Sequence, residues 1–78
     1  MLEILLVWTM SHVNTPDVLA GPFVSERVFG SYQECAALVA MIGGPFIIDK
    51  QWQFRIESEG QIFQGRCVER QNYESENS

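Results

Sequence analysis

Residues 2–10, LEILLVWTM, alternate two partly apolar faces. Leu2, Ile4, Leu6, Trp8 and Met10 share one, and Glu3, Leu5, Val7 and Thr9 share the other. A run rich in branched and aromatic residues predicts a strand. Apolar residues on both faces predict that it is central or covered on both sides. Residues 11–21 contain Asn14, Pro16, Asp17 and Gly21 and read as a loop. Pro22 disfavours a central pairing position, and residues 23–29, FVSERVF, read as a second strand antiparallel to the first.

Ser31 and Glu34 form a capping-box pattern. They predict a helix from Tyr32 to Ile42 with an apolar stripe of Tyr32, Cys35, Ala36, Val39 and Ile42. Gly43-Gly44 and Pro45 stop it. Residues 51–70 read as a hairpin around Glu59-Gly60, with a type I′ turn. That register sets Ile56 opposite Phe63, Phe54 opposite Gly65 and Trp52 opposite Cys67. The inner face is then Trp52, Phe54, Ile56, Phe63, Gly65 and Cys67. The outer face is Gln53, Arg55, Glu57, Ile62, Gln64, Arg66 and Val68. A one-residue slip would destroy this division. The expected fold is α+β, in the order β-β-α-β-β. A four-stranded, mostly antiparallel sheet carries one helix on one face. Residues 1–70 form the domain, and 71–78 form an acidic tail expected to fray.

Length and composition narrow the function. A chain of 78 residues with 46% hydrophobic residues is long enough for one small core. Such cores are marginal and gain from a disulfide, a metal or a second subunit. The net charge of −5 argues against direct binding to nucleic acid or an anionic membrane. No apolar run approaches the length of a membrane span. Glu3 stands where a signal peptide would carry a base, so the expected location is cytoplasmic. Residues 1–49 hold five acids and one base, whereas residues 50–70 hold four bases and three acids.

The two cysteines, Cys35 and Cys67, are too widely spaced for a zinc pattern. Both are expected to face the core, as buried thiols in a reducing compartment or as a disulfide. His12, the one histidine, lies near Ser11, Asn14 and Asp17 and reads as a solvated loop residue; a catalytic role would need Cys35 or a serine as nucleophile, and Cys35 is expected to face the core. The acids are scattered without calcium-loop spacing, and no glycine-rich phosphate loop is present. No catalytic set, metal or cofactor is therefore expected.

The most distinctive expectation is apolar surface. One helix covers one sheet face, leaving Leu5, Val7, Ile62 and Val68 on the other, with Arg55 and Arg66. Phe46 and Ile47, in the apolar run Pro45–Ile48, extend it. Such surface marks a protein partner or self-association into a homodimer. Two alternatives are a small-ligand binder with a pocket between subunits near Trp8, Trp52 and Arg55, and a redox protein using Cys35 and Cys67.

Around Phe29-Gly30-Ser31-Tyr32-Gln33-Glu34-Cys35, and again at Arg66-Cys67-Val68, the chain resembles small phage and prophage proteins of unknown function. They share an F-x-S-x-x-x-C helix start and a last strand ending near a second cysteine. This sequence departs from them in its longer segment between helix and last strand. The resemblance implies a compact strand-and-helix domain of phage origin. By analogy it implies a non-enzymatic inhibitor that occludes a host defence or regulatory protein in the bacterial cytoplasm.

Overall fold

The computed structural model describes residues 2–43 and 50–76. Its elements are β1 (Ile4–His12), β2 (Thr15–Val24), α1 (Tyr32–Gly43), β3 (Gln53–Ser58), β4 (Gln61–Glu69) and α2 (Arg70–Glu76). The fold is α+β, an open antiparallel sheet in the order β2-β1-β4-β3. The two apolar faces of β1 have their cause here. It is an interior strand, paired with β4 from Ile4↔Glu69 to His12↔Gln61 and with β2 on its other edge.

Residues 11–21 are not a loop. The chain turns at Val13-Asn14 and returns as β2, with Val7↔Val24, Trp8↔Phe23, Met10↔Ala20 and His12↔Thr15 paired. Two register shifts interrupt this ladder. Pro16 and Pro22 are tolerated because β2 is an edge strand, where a missing N–H need break no ladder bond. The expected strand over 23–29 is interrupted after Val24. The Ser25 hydroxyl accepts from the Leu6 N–H at 3.1 Å and donates to the Arg27 carbonyl at 2.9 Å. A side chain thus replaces a ladder partner, and Phe29 rejoins β1 by two 2.9 Å bonds with Ile4.

The helix start follows the capping pattern with one difference. Glu34 N–H donates to Ser31 Oγ at 3.1 Å, but the Glu34 carboxylate reaches past Ser31 to the Gly30 N–H at 2.9 Å. Cys35 and Val39 are fully buried. Ile42, expected on the same stripe, is 58% exposed, and Leu38 packs against the core instead. The helix is described to Gly43; its expected stop, at Gly44 and Pro45, lies outside the described residues.

The β3–β4 hairpin has the expected register, with Ile56↔Phe63 and Phe54↔Gly65. Glu59 and Gly60 both have positive φ, 51° and 80°, as a type I′ turn requires. The ladder ends at Gln53↔Arg66, one pair before Trp52 and Cys67. Trp52 turns out of the strand at φ 59°, while its carbonyl still accepts the Cys67 N–H at 3.1 Å.

The main core lies between α1 and the sheet: Ile4, Leu6, Phe29, Cys35, Val39, Phe54, Ile56 and Cys67. Cys35 and Cys67 are joined as a disulfide, so the buried-thiol expectation gives way to its alternative. Residues 70–76, placed at the end of the domain and in the tail expected to fray, form α2. Arg70 anchors it. Its backbone N–H donates to the Glu3 carbonyl at 2.8 Å, and its guanidinium meets Glu74 at 3.0 Å and Glu3 at 3.4 Å. Exposed pairs like these contribute little singly. The helix also packs Tyr73 onto Leu5, Val7 and Val68.

Two substitutions test this packing. A Cβ on Gly65 would collide with the Val7 carbonyl and lie 2.8 Å from Cα and Cβ of Trp8. Gly65→Ala is therefore expected to cost ~3 kcal/mol in urea denaturation, by forcing β1 and β4 apart. Ser31→Ala removes the cap and is expected to cost ~1 kcal/mol in the same assay.

Candidate functional site

The structure redistributes the expected interface residues. Leu5, Val7, Ile62 and Val68 are all buried, so they do not form an open apolar face. α2 supplies the cover for three of them through Tyr73. Arg55 stays on the surface and pairs with Glu57 at 2.7 Å. Arg66 lines a cavity, described below. Phe46 and Ile47 lie outside the described residues.

Exposed apolar surface is found on β2 instead. All ten of its residues are exposed, including Val18 at 69%, Leu19 at 56%, Phe23 and Val24. Phe23 leans on Trp8 with ring centroids 5.6 Å apart. The strand has one charged residue, Asp17. Its prolines and register shifts are features that guard an edge against strand addition. A contact here would be made by side chains. Sequence reasoning missed Val18 and Leu19 because Pro16 and Gly21 bracket them as a loop; the apolar run Val18-Leu19-Ala20 was the available signal.

The second feature is a cavity of about 570 Å³ beside the end of β4. β3 pairs with β4 only as far as Arg66, which leaves a notch beside the last residues of β4. Tyr32 at the start of α1, Lys50, Gln51 and Trp52 ahead of β3, and Asn72 and Ser75 on α2 surround it. The Tyr32 and Trp52 rings stack with centroids 5.3 Å apart and planes 11° apart. The left-handed backbone of Trp52 is uncommon for a bulky residue. It lets the carbonyl cap Cys67 while the indole turns onto Tyr32. Desolvation, and secondarily the Glu69 carboxylate, hold the Tyr32 phenol above its ordinary pKa, so it stays protonated and neutral. Trp52 alone of the Trp8, Trp52 and Arg55 group expected around a ligand lines this cavity. Trp8 lines a different hollow, with Gln53 and Gly65.

The catalytic candidates do not converge. Both cysteines are bonded and buried, at 0% and 2% exposure, with no free thiol to act as nucleophile. Burial also keeps the disulfide from an attacking thiolate, which counts against the redox alternative. His12 is exposed, and its Nδ1 accepts the Asn14 N–H at 3.2 Å in the β1–β2 turn. Among the described residues there is no group of three His, Cys, Asp or Glu side chains suited to a metal ion. No helix among them is long and apolar enough to cross a membrane. Compared with protein-family models, curated proteins and solved structures, the chain has no match.

Because Tyr73 is half-buried over Leu5, Val7 and Val68, Tyr73→Ala is expected to cost ~2 kcal/mol, less than a fully buried aromatic. It should also raise the fluorescence of an added apolar dye as that cluster is uncovered. Unchanged stability and dye binding would show that α2 contributes nothing to the second core.

Proposed function

We propose that the chain is a non-catalytic binding protein that engages a protein partner through the apolar side chains of β2. The observation that carries this reading is that all ten residues of that strand are exposed, Val18 and Leu19 more than Phe23 and Val24. The large apolar residues of β1 and β4 are buried or half-buried; α1 also exposes Met41 at 83% and Ile42 at 58%, but β2 is the strand that presents several exposed apolar side chains in one run. Surplus apolar surface on a small domain marks an interaction site. Its action would be occlusion of the partner, the mode that the likeness to phage proteins implies, exerted from the β2 edge and not from a sheet face.

The disulfide alters where such a partner is sought. Structural disulfides persist in oxidising compartments and are rare in the cytosol. The Cys35–Cys67 bond therefore favours a location outside the reducing cytoplasm, in place of the cytoplasmic expectation.

The test is capture by the immobilised, oxidised chain from the oxidising compartment of its source cells. Wild type is expected to retain one partner stoichiometrically. The double variant Val18→Asp/Leu19→Asp should lose it at least ten-fold while melting as wild type does, since both side chains are exposed. Arg55→Ala, on the face first expected to bind, should retain it. Capture that survives the double aspartate variant would place the interface elsewhere. Light scattering on the isolated chain separates a second copy from a different protein.

A further inference from the structure

With β2 as the contact surface, the reading on which this inference rests, the charges around the strand describe its partner. Residues 13–26 contain two acids, Asp17 and Glu26, and no base. Asp17 stands just ahead of Val18-Leu19-Ala20, and Glu26 two residues past the end of the strand. Both are exposed, and neither side chain forms an ion pair or hydrogen bond with the described residues. All five Lys and Arg residues are among those described. Arg27, the nearest of them along the chain, lies over the Phe29 ring, 5.1 Å from its centroid. Arg66 is paired opposite Val7, two strands in from β2, and is already engaged. The exposed apolar strand therefore carries an unpaired carboxylate at each end. Its apolar surface continues inward, where Phe23 leans on the half-buried Trp8 ring.

A second copy suits this surface poorly. A twofold contact sets the same patch on both sides, and this patch offers its copy acids and no base. An added strand is also disfavoured, because Pro16, Pro22 and the register shifts interrupt the free edge. A helix docked by its side chains meets neither obstacle. Asp17 and Glu26 are nine positions apart, at most ~30 Å of extended chain, a length that a helix of about 20 residues spans. We propose that β2 receives an amphipathic helix of a partner protein, whose apolar stripe covers Val18, Leu19 and Phe23 and whose basic ends meet Asp17 and Glu26. Complementary charges of this kind steer the encounter and fix its register.

The experiment is a ¹H–¹⁵N NMR titration of the full oxidised chain, reading the Trp8 indole N–H with that of Trp52 as internal control. The probes are two synthetic helical peptides of about 20 residues with the same leucine stripe, one carrying lysines at both ends and the other glutamates. The lysine peptide should shift Trp8 saturably, leave Trp52 in place and bind at least ten-fold more tightly than the glutamate peptide. Asp17→Asn/Glu26→Gln should weaken it at least five-fold. Glu57→Gln/Glu74→Gln, which removes the same charge from β3 and α2, should leave its affinity unchanged. Val18→Ser/Leu19→Ser should abolish the Trp8 shift without moving the melting temperature, because both side chains are exposed. No saturable shift at Trp8 with the lysine peptide would overturn the assignment, and so would equal weakening by the two charge variants. Equal binding of the two peptides, lost in Val18→Ser/Leu19→Ser, would overturn the basic partner and leave β2 standing as the contact surface. A dimer in light scattering that the same serine variant dissolves would overturn it too, with a second copy as the occupant.

Discussion

The covalent bond between Cys35 and Cys67 is the constraint on which the rest of the structure depends. α1 lays two fully buried side chains on the sheet, Cys35 and Val39. A twelve-residue helix held by so few buried groups would gain little from packing alone. The bond fixes it to β4, an interior strand, and closes a sequence separation of 32 residues. It also sets the surroundings of the cavity. Cys67 is the point where β3 leaves the ladder, and Tyr32 lies one turn before Cys35, which brings it onto Trp52.

With α1 on one face, the sheet must still deal with Leu5, Val7 and Val68 on the other. The short α2 does this with one aromatic residue and the Arg70 contacts to Glu3 and Glu74. The same arrangement explains why β2 is left bare. α1 and α2 cover the middle of the sheet, while β2 lies at its edge with all ten residues exposed. The apolar strand and the notch beside β4 thus both arise where covering elements stop.

The elements that could be read from the sequence were those with local and redundant signals. Ser31 and Glu34 marked the helix start, and alternation around Glu59-Gly60 determined the hairpin register to the residue. β2 was misread because Pro16, Gly21 and Pro22 look like loop residues, and only its place at the edge makes them tolerable in a strand. α2 gave no periodic signal, since Tyr73 is its one apolar anchor. The sequence leaves the disulfide open, because spacing along the chain does not give distance in space. Of the candidate sites, the sheet face failed because the helix that covers it was not foreseen. The notch is partly visible in the sequence, through Lys50, Trp52 and Arg66. Its other wall comes from Asn72 and Ser75, residues assigned to a fraying tail.

The central claim, that one cross-link holds the helix to the sheet, is tested most directly by comparing urea denaturation of the oxidised chain with that of Cys35→Ala/Cys67→Ala. Chain entropy for a loop of this length predicts a loss of ~4 kcal/mol in the double variant. Thiol titration of the unfolded wild type without reductant should find no free thiol. Two free thiols in that titration, or a double variant as stable as wild type, would contradict the account.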